Sequence, residues 1–191
     1  MIKIFLDAEF TGLTQGTTLF SLALVTEYEG LELYAEFTDY DESQLNDWLR
    51  DNVISNLLMD GSSTNKYFIT QPNRVKGSDP LDRVKIEIKG STNYILENLL
   101  QWLNQFDEGI EIWGDVLAYN WVLFCELFDG ALNLPKNVHY IPNDFATLLK
   151  ERNLNPDLDR VKFAAIKLNK SEHNSLYDAQ ILRACYKRLN S

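Results

Sequence analysis

An apolar run near the N-terminus, Ile2-Lys3-Ile4-Phe5-Leu6, leads without a break into Asp7-Ala8-Glu9-Phe10-Thr11-Gly12-Leu13. Side chains of a strand alternate faces with period two. A strand over Lys3–Asp7 that carries on to position 9 therefore projects Asp7 and Glu9 from one side, as two carboxylates aimed at one point. Two such groups repel each other unless positive charge lies between them, and a hard divalent cation takes oxygen ligands. The pair reads as candidate metal ligands. Taken alone, a D-x-E at a strand end is also what two solvated acids look like.

The far end of the chain supplies a partner. It reads Ser171-Glu172-His173-Asn174-Ser175-Leu176-Tyr177-Asp178, followed by apolar residues at Ile181, Leu182, Cys185 and Leu189. That spacing is one face of an amphipathic helix. Ser175 with Asp178 three residues later resembles a helix start, a hydroxyl cap followed by an acid in the first turn. His173 then lies in the loop before the helix, where it and Asp178 can converge although they are five apart in sequence. Histidine titrates near neutrality, and an aspartate is a metal-capable carboxylate. On its own this segment also reads as a surface histidine and a capping acid.

Together, Asp7-x-Glu9-x-Thr11-Gly12-Leu13 at the end of a first strand and His173-x-x-x-x-Asp178 before a last helix resemble the DEDDh 3′–5′ exonucleases, which include proofreading subunits, oligoribonuclease and RNase T. The resemblance runs from Ile2 to about Leu189, and its wording (Asp7-Ala-Glu-Phe, Ser21-Leu-Ala-Leu-Val, Trp113-Gly-Asp) is similar to a bacterial and phage 3′–5′ exoribonuclease branch. It implies an RNase H-like mixed β-sheet flanked by helices and hydrolysis with two divalent ions, Mg²⁺ or Mn²⁺. Asp7 would bridge both ions, and Glu9 and Asp178 would hold the one that carries the attacking water. His173 would serve as general base, and nucleoside 5′-monophosphates would leave from single-stranded 3′ ends. Phe10, Thr11, Gly12, Leu13 and Tyr119 would grip the terminal sugar and base. Read without the resemblance, Phe10 and Leu13 are equally core residues, and Thr11-Gly12 equally a turn.

The family has a fourth acid after an aromatic, at the start of a helix that follows an internal strand. The matching stretch here is Ile110–Phe128, with Ile110–Trp113 reading as the strand and Trp121–Phe128 as the helix; the aromatic is Tyr119 and the next residue is Asn120. An asparagine carbonyl can touch a metal but brings no charge, and site charge tunes affinity for hard cations. Three readings stand open: a substitution made to trap substrate or metal, a natural change that leaves a binder or weak enzyme, or a shifted register in which Asp115 supplies the carboxylate.

A chain of 191 residues fits one domain with a real core. Cys125 and Cys185 lie on apolar faces of expected helices, as buried free thiols suited to a reducing cytoplasm. No secretory leader or membrane-crossing stretch is expected. The net charge of −10 argues against coating nucleic acid through many phosphate contacts, and favours a short oligonucleotide or a single-stranded 3′ tail. Basic residues cluster at Lys66, Arg74, Lys76, Arg83, Lys85 and Lys89, read as a solvated face. A second group, Lys150, Arg152, Arg160, Lys162, Lys167 and Lys170, leads into the His173 loop and could line the path of a strand.

Along the chain, strands are expected at Lys3–Asp7, Thr18–Tyr28 and Glu32–Phe37, an antiparallel meander. Helices are expected at Ser43–Leu58, with Leu45, Trp48, Leu49, Val53, Ile54 and Leu57 on its apolar face, at Thr92–Phe106 and at Asp144–Arg152; a short strand is expected at Asn137–Ile141. Residues 61–90 read as a variable insertion holding strands at Lys66–Thr70 or Val84–Ile88. The order βββα…αβαβα is that of an α/β class. Rival readings are a proofreading-type DNA exonuclease with the same site, a nucleic-acid-binding module without chemistry on the same fold, and an interaction protein with incidental acids. Some relatives are homodimers, and no apolar stripe tests that here.

Overall fold

The computed structural model describes residues 1–59, 66–68, 85–166 and 173–191, with the backbone alone at 66–68. Its described strands are β1 (Ile2–Phe10), β2 (Leu19–Thr26), β3 (Glu32–Phe37), β4 (Lys66–Phe68), β5 (Lys85–Gly90), β6 (Ile110–Gly114) and β7 (Asn143–Asp144). The helices are α1 (Asp47–Asn52), α2 (Thr92–Asn104), α3 (Ala118–Glu126), α4 (Phe145–Glu151), α5 (Arg160–Ala164) and α6 (Ser175–Leu189). The strands form one mixed sheet in the order β4-β5-β3-β2-β1-β6-β7, flanked by helices, the α/β architecture the sequence leads one to expect.

The meander is present: β1 pairs antiparallel with β2, and β2 with β3. β6 lies parallel to β1, and β7 parallel to β6. Period two decides what each face of β1 meets. Ile2, Ile4, Leu6 and Ala8 join the core shared with α2 and α3, including Leu99, Trp102 and Phe124. Phe5 joins the opposite core with Phe145 of α4 and Leu176, Ile181, Leu182 and Cys185 of α6. Asp7 and Glu9 share the parity of Phe5, so the alternation turns them toward α6.

Four expectations need correction. The helix over 43–58 is broken into a 3-10 turn at Glu42–Gln44, α1, and a second 3-10 turn at Ile54–Asn56. Asn46 interrupts it by capping α1 with its own side chain, which accepts from Leu49 N at 2.8 Å. Trp48, expected on the apolar face, is consequently 54% exposed. The strand expected at Asn137–Ile141 reduces to one parallel bridge between Val138 and Ile110, and the paired residues are Asn143 and Asp144. The cap of α6 is Asn174, whose side chain accepts from Leu176 N and Tyr177 N, while Ser175 is buried and bonded to Ser21. The helix expected from Trp121 starts earlier, at Ala118, which places Tyr119 and Asn120 in its first turn.

Of the insertion, Lys66–Phe68 and Lys85–Gly90 are strands that pair antiparallel; the rest of 61–84 lies outside the described residues. Both cysteines are free and buried. Among the described residues no helix is long and apolar enough to cross a membrane.

Candidate active site

The site begins where β6 stops. The parallel pairing of β1 with β6 runs from Ile2↔Ile110 to Phe5↔Trp113, whereas β1 continues to Phe10 beside β2. Residues 7–9 thus project past the end of their parallel neighbour. In an α/β sheet the crevice beyond the carboxyl ends of strands is where ligands bind. The chain leaving β6 turns away through Asp115–Leu117 into α3, opening a cleft of about 950 Å³ lined by Asp7, Glu9, Asn120, His173 and Asp178, among others.

α6 closes the cleft from the other side, and a buried polar seam fixes its first turn. Ser175 Oγ bonds Ser21 Oγ at 2.9 Å, on the β2 residue that faces Glu9 across the strand pair. Fully buried Asn174 donates from Nδ2 to the Asn56 carbonyl at 2.8 Å while its Oδ1 caps the helix. Asp178, one turn along, then meets the strand acids. One oxygen from each of Asp7, Glu9 and Asp178 lies within 4.8 Å of the others.

That convergence is electrostatically unfavourable as it stands. Burial pushes the Asp7 carboxyl well above its ordinary range, and the charges of Asp178 and Glu9 push it further. Glu9 is pushed up to about 8, by burial first and Asp178 second. Three hard oxygen donors that resist ionising together are a set that a divalent cation would satisfy. The acids singled out from the two ends of the chain fit a metal on this ground.

Asn120 is buried and aimed at the same point, its Nδ2 donating to Asp7 Oδ1 at 3.1 Å. The register that aligned Asn120 with the family's fourth acid therefore delivers that side chain to the acids. Asp115 does not take this place. Both its oxygens are held by Arg160, Nε to Oδ2 at 2.5 Å and Nη2 to Oδ1 at 2.9 Å. The reading that passes the ligand role to Asp115 loses its support, because the carboxylate is already committed to a guanidinium fork.

His173 is exposed on the rim, at φ 64°, and its ring meets Trp48 edge-on with centroids 5.2 Å apart. Trp48 was missed as a site residue because its spacing fits a buried helical stripe, and only the break at Asn46 turns it outward. Of the expected gripping residues, Phe10, Gly12, Leu13 and Tyr119 line the cleft; Phe10 stacks on Tyr119 with centroids 5.7 Å apart, and Leu13 is 72% exposed. Thr11 is placed differently. Its buried hydroxyl bonds Thr17 Oγ1 and Gln44 Oε1 and accepts from Thr18 N, so it braces the turn after β1.

Among the described residues, four of the basic groups are committed to acids. Lys89 pairs with buried Glu36, Lys85 with Glu87, Arg160 with Asp115 and Lys162 with Asp159. Arg74, Lys76, Arg83, Lys167, Lys170 and the side chain of Lys66 lie outside the described residues.

The sequence profile of the 3′–5′ exoribonuclease Rv2179c-like domain matches residues 2–189. Among solved structures, that of cell-death related nuclease 4 (CRN-4) matches with a TM-score of 0.57 at 12% sequence identity, over 99% of this chain and 63% of that one. At that identity the likeness is one of fold, and the chain spans less than two thirds of that nuclease. Comparison with curated protein sequences gives no match. The match covers both ends of the chain, which carry the motifs of DEDDh-type 3′–5′ exonucleases. This chain belongs to the 3′–5′ exoribonuclease Rv2179c-like domain family.

Proposed function

We propose that this chain removes nucleotides from single-stranded RNA 3′ ends by divalent-metal-dependent hydrolysis, with Asp7, Glu9 and Asp178 as the metal ligands. The observation that carries this is the meeting of those three acids within 4.8 Å in a family-matched chain. A bound Mg²⁺ or Mn²⁺ would neutralise the acids and act as a Lewis acid toward the phosphodiester. His173, exposed on the rim of the same cleft, takes the proton of the attacking water once a strand is seated. Phe10, Tyr119 and Leu13 offer apolar and aromatic surface to the terminal base and sugar, a sequence-tolerant grip. Asn120 is the residue that would help hold a second ion. Its amide brings no charge and its Nδ2 donates to Asp7, so a second ion would be held weakly and turnover would be slow.

The Asn120–Asp7 contact also favours a second reading, a nucleic-acid-binding module with little or no chemistry on the same fold. One experiment separates the two. The chain and its Asn120→Asp variant are incubated with Mn²⁺ and 5′-labelled single-stranded RNA or DNA, and the products are resolved on a gel. Stepwise shortening of RNA from the 3′ end, faster by at least about 10–100-fold in the variant, supports the exoribonuclease. RNA and DNA bound but uncut by both forms supports the binder, and DNA cut in preference to RNA supports a proofreading-type enzyme.

A further inference from the structure

Among the described residues, the wall of the cleft between β6 and α5 presents no unpaired basic side chain. Among the described residues lining the cleft, Arg160 is the one arginine or lysine. Its guanidinium is consumed by Asp115 and by the carbonyls of Leu158 and Pro156, the latter two at 2.7 Å each. Lys162 is held by Asp159 at 3.0 Å. What this wall offers instead is apolar. Val116 is 74% exposed and Val161 38% exposed, and both line the cleft. Each follows one member of the Asp115–Arg160 bridge in sequence, so a single ion pair joins the two turns that carry them.

Val116 is held at φ 47°. A β-branched residue in the left-handed region is a strained residue, and glycine or asparagine would take the same turn with little or none of that strain. The turn is fixed on both sides: Asp115 by Arg160, and Leu117 by its N–H donated to Asp144 Oδ1 at 3.2 Å. The fold thus maintains a strained residue whose isopropyl group gains no burial in the free protein. Strain of this kind, over-determined by its surroundings at the mouth of a cleft, points to a contact made with something else.

We infer that Val116, with Val161 lining the same cleft, is a substrate contact that packs against the apolar face of a nucleotide, ribose or base, of the bound RNA. The wall reads sugar and base where a basic wall would read phosphate. This rests on the exoribonuclease reading and deepens it. It also accounts for a nucleic-acid site on a chain of net charge −10, because an apolar contact adds no counterion-release term.

The test measures binding of a 5′-fluorescein-labelled short single-stranded RNA by anisotropy, with Ca²⁺ present and no Mg²⁺ or Mn²⁺, and thermal stability in parallel. Val116→Gly and Val116→Asn should raise Tm by about 1–4 °C through relief of the left-handed valine. Both should weaken RNA binding by about 3–10-fold through loss of the apolar contact. Lys162→Gln should leave Kd within about twofold. Affinity unchanged in both Val116 variants overturns the inference alone. A fall in both Tm and affinity makes Val116 a structural residue and also overturns it. A parent chain that binds no RNA removes the exoribonuclease reading, and this inference with it.

Discussion

Glu9 carries a carboxyl pushed up to about 8 from an ordinary 4.5, and Asp7 is displaced in the same direction, burial leading in both. The sign of the consequence follows from proton counting. Below the ordinary value Glu9 is protonated folded or unfolded. Between that value and about 8 only the folded state keeps the proton, so the favourable contribution fades as pH rises through the window. Metal-free protein should therefore melt lower near about pH 8 than near about pH 5, and Mn²⁺ should raise Tm more at the higher pH. Asp7→Asn should raise the metal-free Tm at about pH 8 and abolish the Mn²⁺ response. A metal-free melting profile that is flat across that range contradicts the placement of the acids. At the same scale, Asn120→Asp adds a fourth carboxylate to the cluster; it should lower the metal-free Tm and increase the gain from Mn²⁺, both readable by calorimetric melting.

At the scale of elements, the first turn of α6 and the short α1 segment carry the site together. Asn174→Ala removes a cap and leaves the Asn56 carbonyl without its buried donor, a loss of about 1–3 kcal/mol in urea denaturation. Trp48→Ala, at an exposed position, should cost under about 0.5 kcal/mol in the same experiment. Loss of its ring current should still move the His173 ring signals, which His139→Gln leaves as the sole histidine signals in the NMR spectrum. What the sequence revealed about these elements has a physical pattern. α2 and α6 were legible because each has one buried face with a clean period, whereas β1, buried on both faces along most of its length, was legible as an apolar run. Asp7, Glu9 and Asp178 were legible only through the resemblance that the two ends of the chain carry together, because each acid alone also reads as a solvated or capping residue. α1 was misread because its side-chain cap at Asn46 breaks a stripe whose spacing looks continuous. β7 was misplaced because two paired residues leave no periodic trace. The commitment of Asp115 to Arg160 joins residues 45 apart, and no local pattern encodes it.

At the scale of the molecule, the site is a product of unequal strand lengths. β1 outlasts its parallel neighbour β6, and the gap lets residues from β1, α3 and α6 meet at one point. On the proposed reading, an acidic chain would act on an acidic polymer there because the charge that matters would be local: a cation held by the acids, with apolar surface around it. RNA binding should accordingly depend strongly on divalent metal and weakly on monovalent salt, with a slope in log Kd against log salt of magnitude below about 2. A steep slope would instead indicate many phosphate contacts.

Whether Asp7, Glu9 and Asp178 hold a divalent ion is decided by isothermal titration of Mn²⁺ into the metal-free chain near about pH 7, in two buffers of different ionisation enthalpy. Saturable binding is expected, with release of roughly one proton or more per ion, because carboxyls with raised pKa must ionise to bind. Both the binding and the proton release should be lost in Asp7→Asn. Saturable Mn²⁺ binding that persists unchanged in Asp7→Asn, or that releases no protons from the parent chain, would contradict the role of these acids as ligands.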